Sequence, residues 1–418
     1  MLTQSKLELT AIARRLFLAL IFLAVVIYVA SIYRFSYNMP YGDDYDAVLG
    51  FLSQYVGADG WSRLVLIFSQ HNEHRVFLTH VLEVIDWQIF GQVNFTHLIW
   101  LGNLGWFLVV WVMWSYAQSR AISFIAFGPV IILLFSFSHY EMMTWAMTSI
   151  QQYYQVLFSI LAIAWMVQQR WLLFTPFFLL AVFTGGGGLI LIPVLLAFLL
   201  WSKNYRLIPP FLLLFIGTLY IYFALLPYTN LTPSTKFLDA LSRPLDLATF
   251  ALGFIGGAGH MQQLGLPSIL MFGFLLLILF INQARFMLKE QPFLAWICIY
   301  IGFTAGLAAL NRLDIGVHAG GDSRYSEYSL LFCSCLYLSY LLRFSSEATQ
   351  RKMIGWGYAL TSLLFIGWYF QAFTPLNDRL YWLKNGYPTY PDHSKAHQLL
   401  DLAKDKGIFS FPSDRLKW

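Results

Sequence analysis

The chain has 418 residues, 58% hydrophobic, 18% aromatic and only 11% charged, with net charge +5 and mean hydropathy +0.61. A soluble domain carries about 45–50% apolar and about 25% charged residues, so this composition excludes one. The basic residues mostly flank apolar runs, so the positive balance does not point to nucleic acid, and no alternating ten-residue strands of a membrane β-barrel are present.

The predicted class is all-α: a polytopic transmembrane helical bundle of about 10–12 spans, each run being long enough to cross a hydrocarbon core of about 30 Å. The first run, 15–34, follows Lys6, Arg14 and Arg15. It is long and lacks a small-residue cleavage site, so it is predicted as a retained helix rather than a signal peptide. A long loop, 35–92, comes next and holds YGDDYD (41–46) and HNEHR (71–75). Within it, His80, Glu83 and Asp86 recur every three residues of 76–90, which predicts an amphipathic helix lying in the interface. Further spans are predicted at 93–117, 121–138, 151–169, 171–183, 186–201, 207–226, 266–283, 292–310, 325–342 and 353–373. TGGGG (184–188) reads as a tight turn. Residues 244–260 read as a re-entrant or interfacial segment rather than a crossing, and 374–418 as a short, solvated outer tail beyond a membrane module of 1–373. Cys298, Cys333 and Cys335 lie in apolar runs, so neither a disulfide nor a metal cluster is expected.

Orientation follows from loop charge. With the N-terminus cytoplasmic, Lys6, Arg14, Arg15, Arg120, Arg170, Lys203, Arg206, Arg285, Lys289, Arg343, Arg351 and Lys352 are inside, and all but Glu8, Glu290 and Glu347 of the 21 acidic residues are outside. Three polar clusters then share the outer face: the loop motifs, SHYEMMTWAMTSIQQYYQ (138–155) and NRLDIGVHAGGDSRY (311–325). Each abuts a helix end, where ionisable groups are costly and are usually paired or functional. Asp43 or Asp44 can act as general base towards a hydroxyl. Arg75, Arg312 and Arg324, with His71 and His74, offer positive charge for a phosphate, the arginines bidentately. Aromatic residues nearby, among them Tyr45 and Tyr325, can stack on sugars or equally form an interfacial belt.

An acidic pair just after the first helix, with a long first outer loop, resembles the GT-C superfamily of integral-membrane glycosyltransferases. HNEHR and DSRY (322–325) are similar to motifs of bacterial GT-C-like chains. The resemblance covers about 15–373 and implies a polyprenyl-phosphate-linked sugar donor, a glycan, lipid or protein acceptor, and a site on the periplasmic face of a bacterial inner membrane. It implies Asp44 and Asp43 as the base. Arg324, Arg75, His71, His74 and Arg312 are then the predicted donor-phosphate contacts, and Glu73, Glu141, Tyr45, Tyr325, Gln152 and His318 the predicted substrate contacts. Many members carry a large outer C-terminal domain, whereas the tail here, 374–418, is short. The HNEHR spacing is not that of a helical zinc motif, since His71 and His74 would need a helix to face one ligand, so no metal is expected. The alternative is Mg²⁺ or Mn²⁺ at Asp43 and Asp44. The rival functions are a transporter or flippase, which would be expected to show an internal repeat, and a polymerase or ligase of lipid-linked saccharides.

Overall fold

The computed structural model describes residues 11–229, 234–387 and 389–411. Among these, eight helices of 20 to 38 residues are long and apolar enough to cross a membrane: Ala11–Phe35, Phe95–Ser119, Phe124–Met143, Ala146–Val167, Tyr205–Leu225, Leu266–Glu290, Pro292–Ile315 and Glu347–Lys384. The architecture is helical almost throughout and compatible with a multi-pass membrane protein. Two-residue strands at Gln70–His71 and His74–Arg75 form the one sheet among the described residues.

The runs at 171–183 and 186–201 do not make full spans. They form helices Trp171–Thr184, of 14 residues, and Leu191–Trp201, of 11, short of the about 20 that a span needs. Between them TGGGG forms an extended Gly185 followed by a 3₁₀ turn over Gly186–Ile190. Residues 244–260 contain a 13-residue helix, Pro244–Gly256, closed by a turn at Gly257–Gly259.

The chain divides into two compact units. The first comprises Met1–Arg34, Val110–Glu141 and Ser234–Pro375. Its helix Phe124–Leu134 starts at Ser123, whose hydroxyl accepts from Ala126 N–H, and it contains Pro129. Proline has no N–H for the carbonyl four residues back, and apolar surroundings offer no water in its place. The Tyr358 hydroxyl supplies the missing donor to Ile125 C=O at 2.8 Å, and the Tyr337 hydroxyl donates to the next carbonyl, that of Ala126. The end of the 244–259 segment is fixed similarly: Ser329 donates to Ile255 C=O and accepts from Ala258 N–H, while Trp368 Nε1 donates to Ala258 C=O.

The second unit comprises Phe35–Val109, Met142–Pro233 and Leu376–Trp418. Helix Phe95–Ser119 begins at Asn94, whose Oδ1 accepts from Thr96 N–H, and Asn38 and Asp86 accept from the N–H groups of Phe95 and Asn94. Helix Phe77–Phe90 forms over most of 76–90, but its faces are reversed from those of a helix with its polar side in water. Thr79, His80, Glu83 and Asp86 are buried, while Ile85, Ile89 and Phe90 are exposed.

The tail also differs from the sequence expectation. Helix Glu347–Lys384 runs on past 373 through Pro375. Beyond it His393–Asp405, capped by Asp392, packs on Tyr45–Gly57 and buries Ala396, Leu400 and Ala403. A solvated tail is not what apolar residues at 396, 400, 403, 408 and 409 produce, since all five are buried.

Candidate functional site

YGDDYD is a turn with a double purpose. Gly42 sits at φ +53°, and a Cβ there would lie 2.7 Å from the Trp145 ring, so only glycine lets the loop close on that indole. Tyr41 meets Trp145 edge-on, and the Arg379 guanidinium stacks 3.9 Å above Tyr41 while donating to Thr144 Oγ1. Asp44 is 1% exposed. Its two oxygens accept from Tyr41 N–H at 3.1 Å and Met147 N–H at 2.9 Å. The second bond caps helix Ala146–Val167 from a distance, because Trp145 at that helix's own cap position makes no side-chain capping bond. Burial raises the Asp44 carboxyl to about 7, helped by Asp43 and opposed by the two N–H bonds and Arg379. Asp44 is thus a buried carboxyl that holds two backbone N–H groups, not the open carboxylate that the sequence reading expected of a base. Asp43 is the available carboxylate, with a side chain 43% exposed and 3.6 Å from His71 Nε2.

The remaining acid of the motif, Asp46, accepts from Lys395 Nζ at 2.7 Å and from the Tyr390 hydroxyl. Tyr45 is fully buried and tilted against Tyr390, with its hydroxyl pushed up to about 12 by burial, so it presents no face to a sugar. That expectation is corrected.

HNEHR is a β-hairpin. Asn72, at φ +50°, makes the turn with Glu73, and His71 pairs directly with His74. The two histidines are therefore brought together by a strand pair rather than by a helix. His74 lies against Gly186, where a Cβ would stand 2.4 Å from Nδ1, so a glycine of TGGGG makes room for the imidazole. Glu73 is half-buried, and its carbonyl accepts from the Tyr228 hydroxyl.

Arg75 is not a phosphate contact. It is 0% exposed, and its three guanidinium nitrogens donate to the carbonyls of Phe68, Tyr222, Leu226 and Pro227. These include carbonyls at the C-terminal end of the Ile208–Leu225 helical segment, which would otherwise lack donors. Burial lowers the Arg75 guanidinium from its ordinary range. Behind the hairpin, His80 stacks on Phe51 at 3.8 Å with Nδ1 3.1 Å from Ile67 C=O, and burial takes it down to about 3. Glu83 is fully buried, and neither oxygen has a hydrogen-bond partner among the described residues. Burial, with Asp44 second, pushes its carboxyl well up.

A cavity of about 460 Å³ opens beside the hairpin, lined by Asp46, Ser69, Gln70, His71, Asn72, Pro227 and Thr229. Gln70 ties its two walls together: its Oε1 accepts from Thr229 N–H at 2.6 Å, and its Nε2 donates to Thr229 C=O at 2.8 Å.

The other predicted contacts fall in both units. Gln152 is half-buried on helix Ala146–Val167. Glu141, Arg312, His318, Arg324 and Tyr325 belong to the first unit. There Arg324 pairs with Asp322 at 3.0 Å and lies 5.3 Å from the Tyr325 ring centroid, which itself packs on Phe254. Glu141 N–H donates to Ser323 Oγ, Arg312 is half-buried at a helix end, and His318 is exposed. Among the described residues no three His, Cys, Asp or Glu side chains converge as a metal site. Of the two carboxylates named for Mg²⁺ or Mn²⁺, Asp44 is buried with each oxygen accepting from one backbone N–H, and Asp43 is the more exposed.

Arg379, Tyr390 and Lys395 escaped the sequence reading because they lie beyond 373. Arg379 lies on the continuation of the helix that contains 353–373, which runs on to Lys384. No protein-family model, no curated protein and no solved structure matches this chain.

Proposed function

We propose that the chain is a membrane glycosyltransferase that moves a sugar from a polyprenyl-phosphate-linked donor to a hydroxyl acceptor, with Asp43 as general base. The observation that supports this most is an exposed carboxylate 3.6 Å from a cavity-lining imidazole, His71. In this reading His71 orients Asp43. The acceptor oxygen attacks the anomeric carbon, its proton passes to Asp43, and the bond from that carbon to the phosphate oxygen breaks. The electron pair leaves with the polyprenyl phosphate. A single displacement inverts the anomeric centre. The loop-charge asymmetry supports a site on the outer face of a bacterial inner membrane, with the N-terminus inside.

The test is chemical release without a membrane. Protein in detergent, given a polyprenyl-phosphate sugar and an acceptor, is expected to release polyprenyl phosphate with no gradient present. Asp43→Asn is expected to slow this by about 10²–10⁴, the usual worth of a general base. Donor left intact by the wild type, but carried across liposome membranes, would instead identify a transporter.

A further inference from the structure

We propose that the cavity beside the hairpin binds a neutral sugar residue through its hydroxyl groups, and that it is not the site of the donor's phosphate. The identification of this sugar as a substrate rests on the glycosyl-transfer reading; the binding chemistry does not.

The size is suitable, since about 460 Å³ lies within the about 300–1,000 Å³ of small-ligand sites. The lining is unusual for such a site because every residue but Pro227 carries a side-chain hydrogen-bonding group. Groups of mixed donor and acceptor character suit a ligand that is itself both, as a sugar hydroxyl is.

Charge then separates sugar from phosphate. A phosphate site needs cations or convergent N–H donors facing the ligand. His71 is the one lining residue able to carry positive charge, and Asp43 stands beside it. Asp46 is an acid on the same lining, and the Lys395 that approaches it is spent on its carboxylate at 2.7 Å. Arg75, the remaining cation of the hairpin, directs its donors onto four backbone carbonyls. An anion would therefore meet two acids whose cations, Lys395 and His71, are already engaged by them, and no uncommitted cation on the lining, whereas a neutral polyol meets acceptors at Asp46 and Asn72 and hydroxyls at Ser69 and Thr229.

The walls are also fixed in advance. The Gln70 amide bonds both backbone groups of Thr229 and also donates to Asn72 C=O, so it acts as a strut and not as a ligand contact. Preorganised walls reduce the ordering cost of binding.

The experiment uses saturation-transfer NMR on the full chain in detergent with glucose, galactose, mannose and N-acetylglucosamine as probes and inorganic phosphate as competitor. At least one sugar is expected to bind and not to be displaced by phosphate. Asn72→Gly, which keeps the left-handed turn, and Ser69→Ala are each expected to weaken that binding by about threefold to tenfold. Absence of binding by all four sugars, displacement by phosphate, or unchanged affinity in both variants would overturn the proposal. In turnover, a rise in KM for the acceptor in Asn72→Gly assigns the cavity to the acceptor sugar, and a rise for the donor assigns it to the donor sugar. Asp43→Asn separates the two claims. Retained sugar binding with lost turnover supports both, while retained binding with full turnover removes the base assignment and leaves the cavity.

Discussion

Arg75 and Asp44 both sit in motifs dense with charge, and both are used by the backbone. Arg75 serves four carbonyls from two separate segments. Lysine carries one compact ammonium and cannot span them. Arg75→Lys and Arg75→Ala are therefore both expected to lower stability, the alanine by about 3–5 kcal/mol because buried carbonyls lose their donors. Thermal unfolding in detergent measures this, and a lysine variant as stable as the wild type would contradict it. Asp44 makes a prediction about pH. Its folded-state pKa, about 7, lies above the ordinary 3.8, so the folded chain holds this proton more tightly than the unfolded one. Its contribution is full below about 3.8 and is lost as pH rises towards about 7. Glu83, also raised, acts in the same direction. Asp44→Asn is expected to flatten the fall in melting temperature between pH 4 and pH 7, and an unchanged slope would refute the assignment. Neither role was legible in the sequence, because Met147 lies 103 positions from Asp44 and Tyr222 lies 147 from Arg75. The motifs drew notice as clusters of charge, but their partners are unremarked carbonyls and N–H groups far along the chain.

At the scale of elements, the hairpin, the glycine turn and helix Phe77–Phe90 form one support. Gly186→Ala would drive a methyl into His74 Nδ1, so it is expected to destabilise, and adding His74→Ala is expected to recover much of the loss. Additive losses in that double mutant would show that the two residues do not clash as the geometry requires. Glu83 presents a different case. With no hydrogen-bond partner for either oxygen and burial favouring its neutral form, Glu83→Gln is expected to cost little, whereas Glu83→Lys introduces a charge with no partner. Expression and melting temperature of the two variants check this. The period-three spacing of His80, Glu83 and Asp86 made this helix readable from sequence. Which face would be buried was not readable, because an amphipathic pattern in a membrane protein fits polar-in as well as polar-out. The TGGGG break was legible as well, while the reason for its glycines, an imidazole from a strand more than a hundred residues earlier, was not.

For the molecule as a whole, hydropathy carried most of the fold. Eight of the predicted apolar runs overlap helices long enough to cross a membrane. The shorter runs at 171–183 and 186–201 were misread because each was taken as a span although neither reaches the about 20 residues that a crossing helix needs. The C-terminal segment was misread because Arg379 and Lys395 look like solvent residues when their partners Thr144 and Asp46 are not in view. The measurement that bears most directly on the whole account compares Asp43→Asn with Asp44→Asn in one purified preparation, following both turnover of a polyprenyl-phosphate sugar and melting temperature. Asp43→Asn is expected to keep the melting temperature and lose about 10²–10⁴ in rate, while Asp44→Asn is expected to change stability and its pH dependence and to retain measurable turnover. Wild-type rates in Asp43→Asn, with loss of rate at wild-type stability in Asp44→Asn, would contradict the account and return the base to the buried carboxylate.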